Sequence, residues 1–172
     1  IAAMGCRPDC ALIAATLPEA LPERQAVDLA EGIDACAEEF GVSVAGGDTV
    51  RTSGQLTLTS TVIGFPVQGG PLLRSGARKN DVIFVTGSLG GSIRGKHLRF
   101  TPRVPEARWW AKRNAVHAMV DLSDGLAGDL RHVAGASGLG AVIVADSLPV
   151  SDAACTCSEK SGRPAWEHAM AD

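Results

Sequence analysis

Apolar positions along the chain follow two spacings. Over 23–40 they recur every three or four residues, at Val27, Ala30, Ile33, Ala37 and Phe40, and Gly41 follows as a stop, so this stretch is expected to be helical. Over 55–65, Leu56 and Leu58 alternate with Thr57, Thr59 and Thr61, the pattern of a half-buried strand. Apolar-rich runs at 11–17 (bounded by Pro8 and Pro18), 81–86 and 141–145 suit strands. Residues 42–45 read as a strand that ends at Gly46-Gly47-Asp48-Thr49, and 118–122 as a short strand or turn. Further helices are expected at 107–114, after a stretch that Pro102 and Pro105 keep irregular, and at 124–136 through Leu126, Leu130 and Val133. Residues 164–172 read as a short helix or turn. The order of elements is mixed, without internal repeat, and defines an α/β (α+β) fold class.

The Gly- and Pro-rich segment 66–71 separates two parts, an N-terminal domain over 1–68 and a C-terminal domain over 69–172. With 172 residues and 45% hydrophobic content, the chain can build one full core or parts of two. There is no initiator Met and no targeting character at Ile1-Ala-Ala-Met4, so the chain reads as a piece of something longer.

Charge narrows the partners. Sixteen Lys and Arg stand against 19 Asp and Glu, a net charge of −3 without a basic block, which argues against nucleic-acid binding. No apolar run approaches the roughly 20 residues of a bilayer span, so no membrane partner is expected. Five cysteines, an odd number without CxxC pairs, point to a reducing, cytoplasmic compartment, with Cys155 and Cys157 as free thiols in a loop. There is no GxSxG and no HExxH spacing among His97, His117, His132 and His168, so neither a nucleophilic hydrolase nor a zinc hydrolase is indicated. The pair Trp109-Trp110 reads as packing.

Three segments could carry chemistry. In Gly46-Gly47-Asp48-Thr49 two glycines permit a close ligand approach and a carboxylate offers hard oxygen to Mg²⁺; a plain turn is the simpler alternative. Asp121-Leu-Ser123-Asp124-Gly125 places two carboxylates and a hydroxyl before a helix, where Ser123 or Asp124 could equally be an N-cap and where a helix N-terminus can receive phosphate. Gly90-Gly-Ser-Ile-Arg94-Gly95-Lys96-His97 satisfies most of a phosphate-loop motif but ends in His where a Mg²⁺-binding hydroxyl belongs. Arg94 and Lys96 could still approach phosphate by charge.

Taken in order, Ile1-Ala-Ala-Met-Gly5, Ala45-Gly-Gly-Asp-Thr-Val-Arg51, Arg74-Ser-Gly-Ala77, Asp81-Val-Ile-Phe-Val-Thr-Gly87, Asp121-Leu-Ser-Asp-Gly-Leu126, Gly138-Leu-Gly-Ala141 and Leu148-Pro149 resemble the thiamine-monophosphate kinases of the aminoimidazole-ribonucleotide-synthetase-like superfamily. Each motif alone is weak, but the collinear series is specific. The resemblance implies a two-part fold and an ATP- and Mg²⁺-dependent transfer of phosphate to thiamine monophosphate, forming thiamine diphosphate. It implies that Asp48, Asp121 and Asp124 ligate Mg²⁺, that Gly47 lies beside the nucleotide, that Arg74 contacts the ATP phosphates and that Ser123 touches ATP. A homodimer is implied as well, with strands 11–17 and 55–65 near the contact.

Such a reaction suits a site without His or Cys. The acceptor phosphate is already largely ionised, so the work lies in neutralising charge between two polyanions. The chain also departs from the family. Acidic ligands expected before Ile1, and a glycine- and acid-rich motif expected after residue 172 with the thiamine-contacting residues, are outside it, and 91–101 is short. The expectation is therefore a partial metal site that is inactive in isolation. Two alternatives remain: another ATP-using enzyme of the superfamily (selenophosphate synthetase or hydrogenase-maturation type), and a non-catalytic nucleotide-binding module.

Overall fold

The computed structural model describes residues 1–67 and 69–171. They form two compact units, one of Ile1 with Cys6–Pro66 and the other of Ala2–Gly5 with Val67–Asp172.

The first unit is a three-stranded sheet with one helix. Strand β1 (Arg7–Pro18) is central, β2 (Ser43–Thr52) runs parallel on one side and β3 (Thr57–Phe65) antiparallel on the other. A parallel partner needs a crossover, and helix α1 (Glu23–Glu39) supplies it. Gly41, at φ 62°, ends α1, and the amide of Val42 returns to the carbonyl of Ala37 at 2.8 Å. Pro8 lies inside β1 rather than before it. The register against β3 shifts between Pro8 and Cys10, so the missing N–H falls at an irregularity where no ladder bond is required.

The larger departure is β2. It continues through Gly46-Gly47-Asp48-Thr49 instead of stopping there, with Ala45 bulged out between the pairs Ala11–Val44 and Leu12–Gly46. Pairing with β1 overrides the turn preference of Gly-Gly-Asp. Burial in this unit is slight: Cys6, Pro8 and Ala11 are buried, α1 contributes no buried residue, and β2 and β3 are exposed along almost their whole length.

The second unit contains α2 (Val104–Ala111), α3 (Leu126–Ala136), α4 (Asp152–Ser161) and α5 (Ala165–Ala171), with short 3-10 turns at Ala2–Met4, Ser92–Arg94 and Ala145–Ser147. Its core is Leu89, Leu126 and Ala169, flanked by Val85, Leu130, Ile143, Leu148, Val150 and Met170. Pro105 sits in the first turn of α2, where a missing N–H costs nothing, so the helix begins earlier than the prolines suggested. Helix α4 replaces the expected loop around Cys155 and Cys157. Ser151 caps it by accepting from the Ala154 amide at 3.1 Å, and both thiols are free.

Segments 81–86, 118–122 and 141–145 are not strands among the described residues, where the unit's strand pairing outside named strands is the bridge Leu89–Val150. Their apolar content is real, but a strand is defined by a partner for its N–H and C=O groups. One side of these runs faces the core through Val85 and Ile143, while Phe84 is 73% and Val142 88% exposed. The aromatic pair does pack in part: Trp110 meets Phe84 edge-on at 6.4 Å, and Arg113 stacks on Trp109 at 3.7 Å.

Candidate nucleotide and metal site

In the second unit two segments that carry candidate residues are tied together. The amide of Met119 donates to the carbonyl of Leu73 at 3.0 Å, just before Arg74 on one segment and Asp121 on the other. Gly76, at φ 116°, lies against the carbonyl of His117, and a Cβ there would come within 2.7 Å of that oxygen. The His117 ring meets the Asp81 carboxylate at 2.9 and 3.0 Å. Asp81 also accepts from the Arg78 amide at 2.8 Å, and that bond, with His117 second, holds its carboxyl below the usual carboxylate range. At the other end the Ala77 amide donates to Ser137 at the close of α3. Arg74 is thus carried on a braced loop.

The segment 121–125 leads into α3, whose N-cap is Gly125 at φ 89° without a side-chain cap. Neither Ser123 nor Asp124 caps the helix. Instead Asp129, in the first turn of α3, turns back: its Oδ2 accepts the Ser123 amide at 2.9 Å and the Asp124 amide at 3.1 Å. A carboxylate is favoured there by the helix N-terminus as well as by these bonds. Asp121, Ser123, Asp124 and Arg74 are exposed. Among the described residues no hydrogen bond or ion pair engages the carboxylates of Asp121 and Asp124 or the guanidinium of Arg74.

In the first unit Gly47 and Asp48 lie on β2 opposite Ile13 and Ala14. Asp48 is exposed, and one carboxylate oxygen accepts the neighbouring Thr49 amide at 2.9 Å. Gly47 has a structural reason to be glycine, since a Cβ would overlap the Ile13 carbonyl.

The phosphate-loop resemblance at 90–97 dissolves in three dimensions. Gly90 and Gly91 have positive φ and pack on α4, a Cβ on Gly90 reaching within 2.7 Å of the Ala154 Cβ. The Lys96 ammonium donates to the Ser88 carbonyl at 2.6 Å, and a single 3-10 turn stands where a phosphate-binding helix is required. These glycines serve close packing.

Among the described residues no three Asp, Glu, His or Cys side chains are grouped as a closed metal cage. That does not exclude Mg²⁺, which keeps several waters and takes one or two carboxylates together with substrate phosphates. Exposed, unengaged Asp121 and Asp124 on a braced loop have the hard-oxygen chemistry that fits it. Sequence reasoning missed Asp129 and the Asp81–His117 pair. The first had a local signal, a carboxylate in the opening turn of the helix after Gly125; the second, 36 residues apart, had none.

The two parts of the chain match the domains of a known family. The chain belongs to the AIR synthase related proteins: the model of their N-terminal domain matches residues 1–65 and that of their C-terminal domain residues 78–168. Its curated relatives include thiamine-monophosphate kinases. That of Rhodopirellula baltica is 43% identical over all of this chain and 54% of its own length. That of Escherichia coli K12 is 34% identical over 89% of this chain and 52% of its own. The chain therefore spans about half the length of these relatives. Among solved structures, the thiamine-monophosphate kinase of Stenotrophomonas maltophilia superposes with a TM-score of 0.83 at 35% identity, over 99% of this chain and 60% of that one. AaThiL, complexed with AMPPCP and TMP, superposes with a TM-score of 0.82 at 27% identity, over the same shares. The hydrogenase maturation protein HypE of E. coli, at 20% identity and TM-score 0.83 over 100% of this chain and 58% of that one, shares the fold.

Proposed function

We propose that this chain is the nucleotide-handling part of a thiamine-monophosphate kinase, which transfers the terminal phosphoryl group of ATP to thiamine monophosphate. The observation that carries the reading is the loop 121–125, which presents two unengaged carboxylates and a hydroxyl beside the braced Arg74 segment. The family relationship and the ligands of AaThiL support it.

Residues 1–68 and 69–172 are assigned as its N- and C-terminal domains. Asp121, Asp124 and, from the first unit, Asp48 are the residues that would hold Mg²⁺, whose charge would offset repulsion between ATP and the acceptor phosphate. Arg74 would meet phosphate oxygens, Ser123 would donate to ATP, and Gly47 would let the nucleotide approach β2. No side chain is assigned as general base, because an ionised phosphate monoester needs none.

The exposed sheet of the first unit supports the proposal of a homodimer through that unit. Both β2 and β3 are edge strands, and Val50, Leu58, Val62, Ile63 and Phe65 remain exposed, which a three-stranded sheet with only Pro8 and Ala11 buried does not tolerate alone. Among the described residues no helix is long and apolar enough to cross a membrane. Five free thiols fit a cytoplasmic setting.

Calorimetric titration with AMPPCP, with and without Mg²⁺, tests the reading, followed by thiamine monophosphate turnover in a chain of the relatives' full length. Mg²⁺-dependent binding supports it. No binding in either chain overturns it.

A further inference from the structure

We infer that Asp129 is a positioning residue of the nucleotide site, acting through the backbone of Ser123 and Asp124. Asp129 is 3% exposed and is the one buried charged side chain among the described residues. Its Oδ2 accepts two consecutive amides that lie five and six residues upstream. A carboxylate removed from water is costly unless charge-assisted hydrogen bonds replace hydration. Here the replacing donors are the backbone of the very loop that offers Asp121, Ser123 and Asp124 outward. On its helix side the loop has no side-chain cap; Gly125, at φ 89°, is tied to α3 through its carbonyl, which accepts the Asp129 amide at 3.0 Å, and the Asp129 carboxylate is the side chain that holds the two residues before it.

Two consequences follow. Fixing the amides of residues 123 and 124 fixes the directions in which the flanking side chains leave the loop, so Asp129 pre-orders a metal-facing edge without touching the ligand. Those two amides are also consumed internally. Phosphate is thus met at this loop by the Ser123 hydroxyl, by Arg74 and through a metal held by the carboxylates, not by a backbone cradle at Ser123 and Asp124.

The role rests on the nucleotide-site reading above, and the experiment separates the two. The chain and its Asp129→Asn variant are titrated with AMPPCP and Mg²⁺, and amide exchange is followed by NMR. The near-isosteric amide exchanges charge-assisted bonds for weaker neutral ones, so exchange at Ser123 and Asp124 is expected to quicken about tenfold and the AMPPCP dissociation constant to rise about 3- to 30-fold. Protection across 126–136 stays unchanged. Binding equal to the parent's overturns the positioning role alone, as does loss of protection throughout α3, which is the mark of a helix-stabilising residue. Failure to bind AMPPCP both in this parent chain and in a chain of the relatives' full length overturns the nucleotide reading and this role with it. Should the variant not fold, scalar couplings across the hydrogen bonds, from the Ser123 and Asp124 amides to the Asp129 carboxyl carbon of the parent, decide. Their presence, together with loop amide shifts on AMPPCP binding, upholds the role, and their absence overturns it.

Discussion

Gly47 faces Ile13 across the β1–β2 pair with no room for a side chain. A Cβ built on Gly47 would overlap the Ile13 carbonyl oxygen and lie 2.6 Å from its carbon, and the backbone there has φ 156°. The glycine is required by strand pairing before any ligand is considered. Gly47→Ala is therefore expected to destabilise the first unit by about 1–3 kcal/mol or more, as overpacking against rigid backbone does. Urea unfolding checks this. A loss of nucleotide binding in that variant counts for the site only if stability is unchanged.

The carboxylates behave differently. Asp48, Asp121 and Asp124 are exposed, so each change to Asn is expected to alter stability by no more than about 0.5 kcal/mol. Removing a metal ligand is at least as damaging as removing its supporting partner, so Mg²⁺-dependent AMPPCP affinity should fall by about tenfold or more in each. Calorimetry beside thermal melts reads both. Unaltered affinity in all three variants would assign these residues to the fold alone.

Asp81 makes stability depend on pH. Its carboxyl is held below the usual range, first by the Arg78 amide and then by His117. A depressed carboxylate stabilises the fold above its unfolded-state pKa, and that contribution is lost as pH falls through the folded-state value. Asp81→Asn should lower the melting temperature at neutral pH, with the difference from the parent closing below about pH 4. A gap that does not narrow at all as pH falls from neutrality through the ordinary carboxylate range and below it would deny the carboxylate's part.

Ser151 joins α4 to the glycine pair. Its hydroxyl caps the Ala154 amide and donates to the Gly90 carbonyl. Ser151→Ala should cost about 1–2 kcal/mol through the lost cap. The effect should appear in chemical denaturation, with AMPPCP affinity unchanged, because 88–97 is packing and not a phosphate loop.

If the exposed face of β3 closes on a second copy, sedimentation should report twice the chain mass. Replacing both Val62 and Ile63 with Lys should leave a monomer, since charge on an apolar strand edge opposes pairing. A parent chain that sediments as a monomer at tens of micromolar concentration, on the order of ordinary assembly conditions, would refute the dimer.

Elements with local causes were legible. The periodicity of 23–40 and the stop at Gly41 became α1, and the alternation over 55–65 became β3, because both depend on side-chain spacing along one segment. The apolar runs at 81–86 and 141–145 were legible as apolar but not as unpaired, since pairing is a property of a second segment. Gly46-Gly47-Asp48 reads locally as a turn, and only the neighbouring β1 holds it extended. The capping of α4 by Ser151 had a local signal in Ser151-Asp152, masked by the reading of the two cysteines as a loop.

The candidate residues were nameable without coordinates: Asp48, Asp121, Ser123 and Asp124 offer hard oxygen in short motifs, while Arg74 was singled out by the family resemblance. What tertiary structure decided is how they are held. The pairing of Leu73 with Met119, the Asp81–His117 contact and the return of Asp129 to the Ser123 and Asp124 amides all join residues through space. Sequence by itself determined the helix and strand periods, the family motifs and the donor chemistry, each local to a few residues. Burial of Asp129, extension of Gly47 and the lack of partners for the apolar runs came from packing, because solvent exclusion and hydrogen-bond pairing belong to the neighbours a residue acquires only on folding.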